Sequence, residues 1–371
     1  MAKNNEQMKN KLKLAFSNVD RAIGELRRGG LVLVKEGASI IIMSSLESID
    51  SNKFFEIKKL TNGPTSLIIS RQRARSLELK NIGSGAAAII LEKNSAVDDI
   101  LEIADPTISL QPNFKLSRSR AANPVELASI ELAKYAHLLP AVLAKDITII
   151  QEKSLVSNNL ALVSTTDIDT FGAAAHTNLQ KVASAQVPLK GSKNSEIIAY
   201  RPSAGGAEHI AVIIGKPIIS QPVMVRLHSQ CFTGDLLDSL RCDCGQQLSG
   251  AIEAISKFGS GVLLYLMQEG RGIGLVNKLR AYNLQDSGLN TFEANAALGF
   301  DDDSRHYRVA AEMLHLLGIS EIKLLTNNPS KIKALESHGI IITERIKHSF
   351  GSNEHNKSYI KSKTEIGGHM L

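Results

Sequence analysis

The sequence predicts an α/β (α+β) protein of two domains, each a mixed sheet covered by helices. Length is the first reason, since 371 residues are enough for two hydrophobic cores. Pattern is the second: short β-branched runs alternate with amphipathic stretches along the whole chain. The third is a compositional break. Residues 165–195 are small and polar with no long apolar stripe, which places a junction near 180. The expected division is 1–180, 181–350 and a loose tail, 351–371.

In the first half, SNVDRAIGELRRGG (17–30) reads as a short helix capped by Ser17 or Asn18 and stopped by Gly29-Gly30. LVLVKEG (31–37) and SIIIMSS (39–45) predict two buried strands. FFEIKKLTNG (54–63) is helical and stops at Gly63, and TSLIIS (65–70) and AAAIILE (86–92) are further strands. NPVELASIELAKYAHLL (123–139) is an amphipathic helix. Asn123 caps it, Pro124 takes its first position, and Val125, Ala128, Ile130, Leu132, Ala133 and Ala136 share the helical spacing. ITIIQE and LALVSTTDI follow.

The second half alternates more regularly. Strands IIAYRP, HIAVIIG and PVMVRLH (222–228) precede a cysteine-bearing stretch and the helix GQQLSGAIEAISKFG. Strand GVLLYLM runs into the loop QEGRGIG (268–274) and the helix LVNKLRAYNLQDSG. An acidic turn, GFDDDSRHY, leads to helix RVAAEMLHLLG, strand EIKLLT, turn NNPS and helix KIKALESHG.

Composition narrows the function. No apolar run approaches a membrane span, and the lysine-rich start has no apolar core of a secretory signal, so a cytoplasmic location and no membrane partner are expected. Net charge is +6. The first thirty residues hold seven Lys and Arg against three Asp and Glu, and RQRAR (71–75) and SRSR (117–120) are further basic spots. These are solvated loops or an attraction for a polyanion. With no Trp and 4% aromatics, base-stacking platforms are scarce, so nucleic acid is disfavoured and a small phosphorylated anion fits better.

All three cysteines, Cys231, Cys242 and Cys244, lie in HSQCFTGDLLDSLRCDCGQQL (228–248). Three is no disulfide framework, and close-set cysteines in a cytosolic chain suggest metal or catalysis. Thiolate-rich sites select zinc. Three protein ligands favour a catalytic ion, whose open position lets it lower the pKa of a bound water. His228 is an alternative fourth ligand that would make the site structural, and three ordinary buried thiols are the plainer alternative.

Nearby residues suit a phosphorylated purine. Arg226 lies at the end of strand 222–228, and Gln247 can read an amide-like base edge. QEGRGIG begins where strand GVLLYLM ends, the position at which open α/β sheets bind ligands. Glu269 can accept from a guanine N1–H and amino group, and Arg271 can hold phosphate. Gly270, Gly272 and Gly274 permit close backbone approach or simply a tight turn. Thr326 precedes a helix N-terminus, which favours anions. Lys331 opposes that helix's dipole, a mismatch that suits a phosphate contact, a solvated lysine being the plainer alternative. In DDDSRHY (301–307), Asp303 is either part of a helix N-cap with an ion pair or a proton acceptor for a reactive Arg305.

Together, VRLHSQCFTGDLLDSLRCDCGQQL, LYLMQEGRGIGLVNKLRAYNLQD, NTFEANAALGF and LLTNNPSKIKAL closely resemble the GTP cyclohydrolase II family over roughly residues 182–350. The resemblance implies zinc on Cys231, Cys242 and Cys244. It implies GTP on Arg226, Leu227, His228, Ser229 and Gln230, then on Gln247, Glu269, Gly270, Arg271, Thr291, Thr326 and Lys331. Asp303 becomes the proton acceptor, Arg305 the nucleophile toward the α-phosphorus, and Tyr282 a tyrosine near the purine. The implied reaction releases pyrophosphate through a transient phospho-arginine and opens the guanine ring with loss of formate, Mg²⁺ accompanying the triphosphate. A homodimer is implied as well. One position departs: the family's His-Ser-Glu-Cys is His-Ser-Gln-Cys here, with Gln230, which keeps an acceptor oxygen but loses a charge.

The first half resembles, more faintly, 3,4-dihydroxy-2-butanone 4-phosphate synthase through AIGELRRGGLVLV and VELASIELAKYAHLLPAVL. That synthase needs an acidic metal-binding segment after its first strand, where this chain reads KEGASIIIMSS. Its late helix begins Gly-His-Thr-Glu, where this chain reads NPVE. A degenerate synthase-like domain with a packing role is therefore expected. The alternatives are a bifunctional fusion and a zinc-stabilised GTP-binding protein with impaired catalysis.

Overall fold

The computed structural model describes residues 2–60, 62–80, 82, 85–110, 112, 118–174, 178–203, 205–366, 368 and 370. Ser117 of the basic stretch 117–120, and residues 175–177 of the expected junction, lie outside them. Two compact units emerge, one of residues 1–173 with 276–304 and one of 174–275 with 305–371. The first break falls between 173 and 174, where the expected cut was at 180. The segment 276–304, however, packs with the first unit, which a single cut did not anticipate.

Seven strands form the sheet of the first unit: β1 (Val32–Glu36), β2 (Ser39–Ser45), β3 (Thr65–Ile69), β4 (Ala87–Ile90), β5 (Ser119–Ala121), β6 (Ala141–Asp146) and β7 (Ala161–Ser164). Their order is β5-β4-β3-β6-β2-β1-β7. Among the described residues of this sheet, only β1 and β7 pair parallel. Period-two alternation sends Ile68, Val142 and Ala144 to a core beneath the helices Ala2–Arg27 and Pro124–Tyr135. It sends Leu67, Ile69, Ala141 and Leu143 to the opposite core, with Phe54, Ile57, Ile100 and Ile103. Both faces are covered, so these strands read as continuous apolar runs.

The first helix departs from expectation. It is continuous over Ala2–Arg27, so Ser17 and Asn18 sit inside it rather than capping it. Asn123 does cap its helix, accepting from the Glu126 N–H, and the Glu126 carboxylate returns a bond to the Asn123 N–H. The basic spots have internal work as well. Arg73 is 1% exposed, donating to the Ile103 and Glu102 carbonyls at 2.7 and 3.3 Å. Arg120 grips the buried Glu126 carboxylate with two bonds of 2.7 Å.

In the second unit the strands are β8 (Leu179–Gln186), β9 (Ser195–Pro202), β10 (His209–Ile214), β11 (Val223–Ser229), β12 (Gly261–Leu266), β13 (Glu321–Leu325) and β14 (Ile341–Ile346). They are ordered β14-β13-β11-β12-β10-β9-β8. One half is an antiparallel meander, β8 to β10 and on to β12. The other half, around β11, is parallel. Helix Cys244–Phe258 packs on one face with Met224, Leu263 and Leu325. Helix Arg308–Leu316 packs on the other with Val225, Leu227 and Leu264. Chain leaving β11 and chain leaving β12 thus cover opposite faces, the arrangement in which open α/β sheets take ligands at strand carboxyl ends.

The small, polar stretch of the expected junction holds helix Thr165–Ala174 and β8. The expected loose tail holds helix Lys357–Glu365. Among the described residues, no helix is long and apolar enough to cross a membrane.

Candidate active site

The carboxyl end of β11 delivers Cys231, and the start of helix Cys244–Phe258 delivers Cys242 and Cys244. Their three sulfurs lie within 4.8 Å of one another and, among the described residues, are the group able to hold a metal. Cys231 and Cys242 sulfurs are 3.7 Å apart, far beyond the roughly 2 Å of a disulfide. A tetrahedral zinc with Zn–S bonds of about 2.3 Å would set its sulfurs about 3.8 Å apart. Hydrogen bonding among the crowded sulfurs, with Cys231 foremost, pushes the Cys242 thiol up to about 11. A Cys242 thiolate therefore calls for a cation beside it. The donor set, the spacing and the crowding all fit zinc.

A single π-helical turn, Phe232–Leu236, folds beneath the sulfurs. It brings the Gly234 N–H to 3.4 Å from the Cys231 sulfur. A Cβ on Gly234 would lie 2.7 Å from the Cys242 sulfur and 3.1 Å from that of Cys231. Asp235, on the same turn, takes three donors. They are the Cys231 N–H at 2.9 Å, the Tyr265 hydroxyl at 2.8 Å and His228 Nε2 at 2.9 Å. His228 is therefore committed to Asp235 and stands outside the sulfur group. Sequence reasoning missed Gly234 and Asp235. Their signal was the TGD triplet that follows the first cysteine after Phe232.

At the end of β12, Glu269 is buried and receives the N–H of Phe232 at 2.6 Å and of Gly270 at 3.0 Å. Gly270 and Arg271 are both left-handed, with φ of 62° and 61°, a conformation costly for arginine. This strained loop aims the Glu269–Arg271 stretch, and Gly270 meets its demand without strain.

Arg226 is 4% exposed. It donates to the Leu325 carbonyl at 2.9 Å and to the Gln247 amide oxygen. Burial lowers its pKa to about 10, with the nearby Cys244 and Asp243 opposing the fall. Gln247 passes its own N–H to Asp243. Lys331 reaches back from its helix to the Leu227 carbonyl at 2.8 Å, and Thr326 accepts from the Asn328 N–H. Leu227 itself is a core side chain. Ser229 and Gln230 close the end of β11, where the Gln230 N–H donates to the Leu266 carbonyl at 2.8 Å.

All these residues belong to the second unit, as does Arg305, whose guanidinium lies 5.4 Å from the Tyr307 ring centroid. Tyr282, Thr291 and Asp303 belong to the first unit. Thr291 opens a helix capped by Asn290. Asp303 is exposed and does not cap the following helix, which begins at Arg308 behind Tyr307.

Residues 180–347 match the family described as GTP cyclohydrolase II. The chain is 44% identical over 366 residues, 96% of its length, to GTP cyclohydrolase-2 of Azospirillum brasilense, 94% of which is covered. It is 51% identical over 176 residues to the riboflavin biosynthesis protein RibBA of Bacillus velezensis, covering 47% of this chain and 44% of that one. A solved structure of RibBX, a two-domain 3,4-dihydroxy-2-butanone 4-phosphate synthase from A. baumannii, aligns over 90% of this chain and 99% of its own. Its identity is 16% and its TM-score 0.35.

Proposed function

This chain belongs to the GTP cyclohydrolase II family, and from that premise we propose that it converts GTP to the diamino-ribosylamino-pyrimidinone phosphate, formate and pyrophosphate, with zinc held by Cys231, Cys242 and Cys244. It is a hydrolase of riboflavin biosynthesis. The observation that carries the zinc-dependent reading is the sulfur triplet within 4.8 Å, folded around a glycine with no room for a Cβ. A zinc ion there supplies Lewis-acid activation of water for ring opening.

The protein's own residues bind and orient the substrate. Glu269, fixed by two backbone donors, is the acceptor for the guanine N1–H and amino group. Gln247 faces the same base. Arg226, Arg271 and Lys331 supply positive charge for the triphosphate, which carries Mg²⁺, and Thr291 and Thr326 supply hydroxyls. Residues 227–230 and Gly270 line the nucleotide, and Tyr282 neighbours the purine. Asp303 takes the proton that makes the Arg305 guanidinium nucleophilic. Arg305 then attacks the α-phosphorus, pyrophosphate leaves, and water cleaves the phospho-arginine.

The cyclohydrolase domain is 181–350, in line with the family match over 180–347; residues 1–180 form a degenerate synthase-like domain and 351–371 a tail. Support for degeneracy is local. KEGASIIIMSS closes as a hairpin between β1 and β2, and NPVE is spent on the cap of its helix. A cytoplasmic homodimer is part of the same proposal, by family resemblance. Incubating the zinc-loaded protein with GTP tests the reading through formate release and the absorbance of the product. GTP binding without turnover would instead favour the binding-protein reading, with Gln230 as its cause.

A further inference from the structure

We propose that Asp235 is a positioning residue: its carboxylate fixes the His228 imidazole in the Nε2–H form, leaving Nδ1 as a hydrogen-bond acceptor for a donor of the bound substrate, while it anchors the backbone of Cys231. The functional arm of this inference rests on the cyclohydrolase reading; the structural arm does not.

The two carboxylate oxygens divide the work. Oδ2 takes the Cys231 N–H at 2.9 Å and the Tyr265 hydroxyl at 2.8 Å. Oδ1 faces His228 Nε2 at 2.9 Å. A carboxylate has no proton to give, so Nε2 carries the hydrogen and Nδ1 the lone pair. His228 is 3% exposed, and its Nδ1 is buried without a protein partner. Its ring is clamped by stacking on Tyr265, with centroids 5.5 Å apart and planes 21° from parallel. Burial first, then the Arg226 and Lys331 charges, lowers the His228 pKa against the pull of Asp235, in keeping with a neutral ring. An unpaired, immobilised acceptor in the interior is costly unless a ligand completes it. It sits three residues before the first cysteine, on the strand whose end carries the proposed substrate residues. One side chain thus ties the backbone of a thiolate ligand to the tautomer of a neighbouring acceptor.

Asp235→Asn separates this role from mere support. Its amide oxygen replaces Oδ2 and keeps both Cys231 N–H and Tyr265. Its NH₂ replaces Oδ1 and now donates to Nε2, which drives the ring proton to Nδ1. We expect ¹⁵N imidazole shifts to report Nε2–H in the wild type and Nδ1–H in the variant, both without substrate. Zinc content should stay at the wild-type level, and GTP turnover should fall about 10- to 100-fold. Tyr265→Phe, which leaves Oδ1 untouched, should keep the Nε2–H form. An unchanged tautomer in Asp235→Asn, or a switched tautomer with wild-type turnover, would overturn the proposal. If the wild type opens no GTP, the cyclohydrolase reading fails on its own, and the tautomer measurement still decides the structural arm.

Discussion

Gly234 faces the Cys242 sulfur so closely that a Cβ added there would lie 2.7 Å from it. The same Cβ would lie 2.8 Å from the Cys244 Cβ and 3.1 Å from the Cys231 sulfur. All three cysteines are therefore packed around one hydrogen-sized space, and a metal held by them would depend on it as much as on the thiols.

Gly234→Ala should spread the sulfurs. Zinc affinity and GTP turnover should each fall by at least about tenfold, the scale seen when a metal's supporting residues are disturbed. Competition with a chromogenic chelator measures the first and formate release the second. Retention of wild-type affinity would show that the turn has slack.

Cys242→Ser removes one soft ligand. Zinc per chain should drop below half of the wild-type value, and formate release should be lost. Pyrophosphate release should survive in part, because the proposed Arg305 step uses no sulfur. Parallel assays of the two products check this; equal loss of both would mean the steps are not separable.

Glu269→Gln keeps the shape but replaces one acceptor oxygen by a donor group, which opposes the guanine N1–H and amino donors. A site built to pair a polar edge loses strongly when a group is mismatched. We expect kcat/KM for GTP to fall about 100-fold or more, with zinc content unchanged. Steady-state kinetics with metal analysis provide the check.

His209 is 5% exposed and its pKa is lowered to about 4 by burial. Its Nδ1 accepts the Met267 N–H at 3.2 Å, so the folded state needs it neutral. Between its unfolded pKa near 6.5 and about 4, the unfolded chain binds the extra proton. Stability should therefore fall as pH drops through that window, by about 1.4 kcal/mol per pH unit for this group. Denaturant melts at pH 7 and pH 5 measure it. His209→Asn, which keeps an acceptor but cannot titrate, should flatten the slope.

Ribulose 5-phosphate supplied with Mg²⁺ should give no butanone phosphate, since the segment after β1 turns straight into β2 and carries no acidic cluster. Product formation, followed by coupled assay, would restore the bifunctional reading.

Much of this was legible in the residues. β-Branched runs announced β2, β3, β10, β11 and β12, because strands buried on both faces must be apolar throughout. β8 was not legible. It is an edge strand whose residues after Leu179 are exposed, so polar residues suffice and the period-two signal vanishes. Arg73 looked like a solvent-facing charge, since nothing in RQRAR tells that carbonyls of a distant helix await it. The cysteine cluster was visible as a cluster. The geometry that makes it a site lies in Gly234 and Asp235, and its warrant is contact distance rather than spacing.

The most direct measurement is stoichiometric. Zinc-loaded protein is mixed with GTP and Mg²⁺, and formate and pyrophosphate are counted against GTP consumed. Both products should appear in step with GTP loss, and both should diminish when zinc is chelated, formate most. GTP that binds and is recovered intact, with no formate, would contradict it.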